Sequence, residues 1–160
     1  MPSMDTITPF LWFDDCAEEA MEYYVSVFPD SSIDEVMRYT EDLEDMGEQY
    51  RGMTGKINAA WFTLAGRRFG CLDGGPYFSL SEAVSFAITC VDQAEIDHYW
   101  EKLSHVPEAE QCGWCKDRFG VSWQVMPAGM DALVRTPAQM QALLGMKKIF
   151  IADLEAVQDR

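Results

Sequence analysis

Few residues in this chain are spaced for chemistry. Cys112-Gly113-Trp114-Cys115 is a C-x-x-C, the spacing of dithiol redox centres and of half a zinc site. A redox pair has to open a helix, where the dipole lowers a thiol pKa, whereas this one lies among strand-patterned residues. No second C-x-x-C completes a zinc set, so ordinary sheet cysteines are expected. His98 and His105 fall in a helical segment or at its end, where a solvent-facing His is the ordinary outcome. The run Glu41-Asp42-Leu43-Glu44-Asp45 could gather cations, but it lacks the Gly and Asp spacing of a calcium loop and reads as solvated. Asp73 precedes Gly74-Gly75, where a turn is expected.

The elements that must position any site come in an order that repeats. Thr6 to Phe13 reads as a strand, with Pro9 marking an edge or a start. Ala17, Ala20, Met21, Tyr24, Val25 and Phe28 then form one helical face, with Asp15 and Glu18 as its N-capping pair and Pro29-Asp30 as its stop. Ile33 to Tyr39 reads as a strand and Glu41 to Arg51 as a surface loop. Lys56 to Leu64, Ala65-Gly66-Arg67 and Arg68 to Asp73 read as a hairpin. The pattern restarts with a strand from Ala83 to Val91, then a helix with Ile96, Tyr99, Trp100 and Leu103 buried and Asp92 with Glu95 as its cap. Asp15-Cys16-Ala17-Glu18 matches Asp92-Gln93-Ala94-Glu95, and Arg68-Phe69-Gly70 is echoed by Arg118-Phe119-Gly120. After Pro127, Thr136-Pro137 opens a short helix carrying Met140, Leu143 and Leu144. Ile149, Ala152, Leu154 and Val157 suggest a second helix. This tail is expected to pack on the domain or on a partner subunit.

Bulk properties narrow the class. A chain of 160 residues fits one domain, given about 100–200 residues per domain. Hydrophobic residues make up 48%, enough for a packed core. A formal charge of -15 argues against nucleic acid and anionic membranes, which need clustered Lys and Arg. No apolar run reaches the roughly 18 residues of a membrane span. The start, Met1-Pro2-Ser3-Met4-Asp5, has no signal-peptide pattern. Five cysteines, an odd number, suit reduced thiols in the cytoplasm.

Gly113-Trp114-Cys115-Lys116-Asp117-Arg118-Phe119-Gly120-Val121-Ser122-Trp123-Gln124-Val125 resembles the signature of PhnB-like proteins. So do Ile7-Thr8-Pro9-Phe10-Leu11-Trp12-Phe13, Cys90-Val91-Asp92-Gln93-Ala94-Glu95 and the stretch around Met146-Lys147-Lys148-Ile149. These proteins belong to the vicinal-oxygen-chelate superfamily, the glyoxalase/bleomycin-resistance/dioxygenase group. Many carry the designation 3-demethylubiquinone-9 3-methyltransferase. The resemblance implies an α+β fold of two β-α-β-β-β modules forming a curled, mostly antiparallel, cup-shaped sheet with a helical C-terminal tail. The chain would then be one domain, with module one at 5–76, module two at 83–128 and the tail at 130–158.

Relatives often hold a divalent metal on the first and fourth strands of each module. By that resemblance the positions fall at Thr8 and Ser85, at Cys71 or Asp73, and at Gln124. A slip of one residue would turn each side chain to the other sheet face. Hydroxyl and amide oxygens bind Zn²⁺, Fe²⁺ and Ni²⁺ weakly, so no cofactor is expected, and any metal would rest on Asp73 and Gln124. Phe10, Trp12, Trp61 and Trp123 either line the cup and bind a planar or apolar ligand or simply pack the core. Asp73, the lone carboxylate near the implied centre, would act as a general base if buried there with a raised pKa. Methyl transfer is not expected. A cofactor such as S-adenosylmethionine needs a Gly-rich strand-to-helix turn, and Gly66, Gly70 and Gly74-Gly75 precede no helix. The leading expectation is a metal-independent small-molecule binding protein acting by sequestration or transport, homodimeric by analogy. Next come a metal-dependent lyase, isomerase or dioxygenase, and a dimeric interaction module whose cup is filled by its own side chains.

Overall fold

The first helical stripe is buried as its spacing requires. In α1 (Ala17–Val27), Ala17, Ala20, Met21 and Tyr24 are sequestered, with Val27 in place of the half-buried Val25. The computed structural model describes residues 7–157. Thr6, at the head of the expected first strand, and Gln158, at the end of the expected tail, lie outside the described residues. The chain divides into two compact units, one ending at Leu80 and the other beginning at Ser81.

The first unit is β-α-β-β-β. Its strands β1 (Phe10–Phe13), β2 (Ser32–Arg38), β3 (Ile57–Leu64) and β4 (Arg67–Asp73) form one sheet in the order β1-β4-β3-β2. β1 runs parallel to β4; the other pairings are antiparallel. Ala65 and Gly66, at φ 47° and 76°, make the two-residue turn whose twist suits a hairpin. Leu11, Phe13, Ala60, Phe62, Leu64, Phe69 and Cys71 alternate onto one buried sheet face, the side that carries α1. Phe10, Trp12, Trp61 and Leu72 take the other. Edge strand β2 is exposed at every position and is interrupted by register shifts at Ile33/Glu35 and Met37/Arg38. The expected loop at Glu41 to Arg51 instead holds two exposed 3₁₀ turns, Glu41–Met46 and Glu48–Tyr50.

The second unit has one strand fewer. β5 (Ser85–Cys90), β6 (Trp114–Lys116) and β7 (Ser122–Pro127) form a sheet in the order β5-β7-β6, with β5 parallel to β7. Where the first unit has β2, a 3₁₀ turn at Pro107–Ala109 follows α2 (Gln93–Leu103). The chain between α2 and β6 is too short for another strand and its return. The protein is therefore a mixed α+β structure with two small sheets, neither closed into a barrel.

The tail packs within the second unit. Leu143 of α4 (Pro137–Leu144), Ile149, and Leu154 of α5 (Ile151–Glu155) form a small core with Cys112, Met126 and residues of α3 (Met130–Leu133). Two backbone bonds fix it: Cys112 N–H to Met146 O at 2.8 Å and Gly113 N–H to Lys147 O at 2.7 Å. Gly113 is required there. Its φ is 85°, and a Cβ would stand 2.8 Å from the carbonyl oxygen of Val125.

Candidate functional site

The two helix starts are built differently. Asp92 caps α2 through Oδ1, accepting the Glu95 N–H at 2.9 Å, while Glu95 Oε2 accepts the Val91 N–H at 2.7 Å. The matching expectation for Asp15 and Glu18 is corrected: the N-cap of α1 is Cys16, and no side-chain cap bond forms there. Both first strands end at equivalent residues, Phe13 and Cys90, but the first linker is one residue longer and leaves Asp15 one residue short of the capping position. Asp73 does the work instead. From the end of β4 its Oδ1 accepts the Ala17 N–H and its Oδ2 the Ile57 N–H, each at 2.9 Å. Asp73 is only 3% exposed, and Tyr39 Oη donates to its carbonyl oxygen at 2.9 Å. Both carboxylate oxygens thus satisfy backbone donors on the helix side of the sheet.

Strand alternation sorts the other candidates of the first unit. Thr8, Phe10, Trp12 and Trp61 share the face away from α1, while Cys71 lies with Asp73 on the helix side, fully buried. Burial pushes the Cys71 thiol up to about 12, with nearby Asp73 adding to the effect. Phe10 and Trp61 meet edge to face at 6.1 Å, and Trp12 meets Phe78 the same way at 4.9 Å. Trp12 Nε1 donates to Gly75 O at 2.9 Å. Two glycines form the floor of this cluster: a Cβ at Gly70 would overlap the Phe10 ring, and one at Gly74 the Trp12 ring. Phe10 is 46% and Phe78 68% exposed, so the cluster is open rather than a closed core. Gly70, Gly74 and Phe78 were not marked as a site by the sequence. The available signal was the shared parity of Phe10 with Gly70, which becomes visible only once β1 is paired with β4.

In the second unit Gln124 Nε2 donates to Ser85 Oγ at 2.8 Å. Ser122 shares their face by alternation, 2% exposed, and its Oγ has no hydrogen-bond partner among the described residues. Trp123 turns to the helix side. It is 3% exposed, its indole Nε1 donates to Asp117 Oδ2 at 2.8 Å, and its ring lies 5.6 Å from Phe86. Asp117 Oδ1 also accepts the N–H groups of Phe119 and Val121, so this buried carboxylate organises the turn before β7. The tripeptide echo is corrected as well: Arg68-Phe69-Gly70 lies in β4, whereas Arg118-Phe119-Gly120 is in that turn. Register sets the true equivalence. Phe10 stands opposite Gly70 and Ala87 opposite Gln124, so the position matching Gln124 in the first unit is a glycine.

These donors fit a divalent metal poorly. Thr8, Ser85 and Gln124 offer neutral oxygens, Asp73 already accepts two N–H bonds, and Gly70 offers no side chain at all. Among the described residues no three His, Cys, Asp or Glu side chains are grouped to hold a metal ion. None of the five cysteines is in a disulfide. Cys115 is buried in β6 with its thiol pushed up to about 12 by desolvation, while Cys112 sits in the turn before that strand at φ 50°. His98 and His105 are both exposed, as are Glu41, Asp42 and Asp45 of the acidic run, while Glu44 is half-buried.

The family described as 3-demethylubiquinone-9 3-methyltransferase matches residues 5–126. The PhnB protein of Bacillus cereus, which carries the same designation, is 36% identical over 77% of this chain and 99% of its own, with a TM-score of 0.63. Protein PA1353 of Pseudomonas aeruginosa is 18% identical over 76% of this chain and 96% of its own, with a TM-score of 0.59, a likeness of fold. No match is found among curated proteins. No helix among the described residues is long and apolar enough to cross a membrane.

Proposed function

This chain belongs to the PhnB-like family described as 3-demethylubiquinone-9 3-methyltransferase, and from that premise we propose that it binds a small molecule without a resident divalent metal. The fold is of the glyoxalase/bleomycin-resistance type, which supports a ligand-holding role. The observation that carries the reading is the exposed aromatic face of the first unit, where Phe10, Trp12, Trp61 and Phe78 surround two side-chain-free positions, Gly70 and Gly74. Rings this exposed offer flat apolar contact at little entropic cost. In the second unit, taken by itself, the half-buried Ser85 and Gln124 are neutral hydrogen-bonding groups that suit a neutral polar group better than a cation.

Methyl transfer is not part of this reading. The turns from β1 to α1 and from β5 to α2 contain no glycine, so neither lets backbone approach a nucleotide-like cofactor closely. Asp73 acts as a structural brace rather than as a base. Cysteines outside any disulfide support a cytoplasmic location, and a homodimer follows only by analogy with the family; a monomeric mass by light scattering would remove the dimer.

Two titrations test the proposal. Nile red, a neutral planar dye, should show saturable fluorescence enhancement that is lost in Phe10→Ser and Trp61→Ser. Calorimetry with Ni²⁺, Zn²⁺ and Mn²⁺ should show no tight stoichiometric uptake. Stoichiometric metal binding abolished by Gln124→Ala would overturn the metal-independent reading.

A further inference from the structure

The geometry points to a seat for a small carboxylate in the second unit, formed by Ser122, Ser85 and Lys116; this deepens the small-molecule reading above and rests on it. Ser122 carries the inference. It is 2% exposed, and its Oγ is the one buried side-chain oxygen or nitrogen among the described residues without a hydrogen-bond partner. A hydroxyl held that way destabilises the fold, because it has lost water and gained nothing in exchange. Alternation turns it away from α2, onto the sheet face that also carries Gln124.

The neighbours of Ser122 set the chemistry. Its register partners are Ser85 on β5 and Lys116 on β6, so the three side chains form one row across the sheet. Ser85 Oγ accepts from Gln124 Nε2 at 2.8 Å, which leaves its own hydrogen to donate. Lys116 Nζ pairs with Glu82, three residues ahead of Ser85. The ion pair thus joins the two outer strands and passes over β7 at the level of Ser122, with the lysine stem above the orphaned hydroxyl. The Lys116 side chain is 23% exposed and that of Glu82 57%, so the acid end returns to water with little loss, as exposed pairs contribute little. Once Glu82 has moved aside, the row offers two hydroxyl hydrogens and an ammonium. A carboxylate matches that set, one oxygen for the ammonium and the other for the hydroxyls. A cation meets the ammonium as a like charge, and a neutral amide leaves the charge unmet. The pairs Arg38–Glu18, Arg51–Glu48, Lys147–Glu110 and Lys148–Asp97 cover no buried unpartnered side-chain atom, which sets Lys116–Glu82 apart from them.

The test titrates acetate, acetamide and ethylammonium into the full chain and follows the backbone amide signals of Lys116 and Ser122 and the side-chain amide of Gln124 by NMR. Ionic strength is held at about 0.15 M, where the field of the acidic chain is screened beyond about 8 Å. Acetate should give saturable shifts and bind about tenfold more tightly than acetamide, the size of one hydrogen bond to a charged group, and ethylammonium should give none. Ser122→Ala should weaken acetate about tenfold while leaving the urea midpoint unchanged or higher, since it removes an unsatisfied group. Lys116→Met, which keeps the stem, should bring acetate and acetamide to parity. Glu82→Gln, at an exposed position that does not depend on the fold of the sheet, should tighten acetate severalfold by removing the competing acid. Equal binding of acetate and acetamide overturns the assignment, as does acetate binding that survives Ser122→Ala. A lower urea midpoint in Ser122→Ala with acetate binding unchanged also overturns it and gives the hydroxyl to a buried water instead. Failure of acetate while Nile red still binds removes the seat and leaves the small-molecule reading standing; if Nile red fails as well, both fall together.

Discussion

The two oxygens of Asp73 hold the backbone N–H groups of Ala17 at the start of α1 and of Ile57 at the start of β3. Asp73→Ala strands both donors in a site that is 3% exposed. At about 1–3 kcal/mol for each of two buried unsatisfied groups, the variant should lose on the order of 2–6 kcal/mol. Urea denaturation should show the loss as a lower midpoint with an unchanged slope. Neither partner was legible in the sequence, because they lie 56 and 16 residues away; what the sequence shows is an Asp before two glycines, which reads equally as a turn or a base. The buried thiols make a second prediction at this scale. Burial raises Cys71, Cys90 and Cys115 from 9.0 to about 12. The unfolded chain then releases these protons first, so the stability they contribute is complete below pH 9 and declines as pH rises towards 12. Urea midpoints measured from pH 8 upward should fall in the wild type and fall less steeply in a triple Cys→Ala variant compared with its own value at pH 8.

Helices were the most legible elements, since a stripe of Ala17, Ala20, Met21 and Tyr24 has one way to be buried. Their caps were legible only where the cap is local. Asp92→Ala should cost about 1 kcal/mol, read by the same denaturation, because it removes a bond that nothing else replaces. The equivalent change at Asp15 should have little effect, since Asp15 forms no cap. The missing strand of the second unit was obscured by the strength of the repeat: matched caps suggested matched strands, whereas the spacer after α2 decided otherwise. The tail offers a check on its own docking. Gly113→Ala forces a residue with a Cβ to φ 85° and against the Val125 carbonyl, so it should cost on the order of 1–3 kcal/mol and release the tail's backbone bonds. Hydrogen exchange at Cys112 and Gly113 would report that release directly.

At the scale of the molecule, the repeat, the α+β class and the family resemblance could be read from sequence, whereas the faces to which side chains turn could not. Alternation has a period of two, so placing Cys71, Asp73 and Trp123 required the pairing register that only the folded sheets supply. A net charge of -15 also acts on the whole. Self-repulsion is screened by salt, so the melting temperature should rise as NaCl increases from near zero to about 0.15 M; a flat or falling curve would show that the ion pairs outweigh it. The contrast between the two helix starts has a consequence in time. The cap of α2 spans three residues and can form as soon as that segment leaves the ribosome. The start of α1 waits for a residue 56 positions downstream, so its helix must remain frayed or be held otherwise until nearly all of the first unit has been synthesised. The first helix thus waits for more than fifty further residues before its start is held, whereas the second is closed by its own first turn almost as it is made.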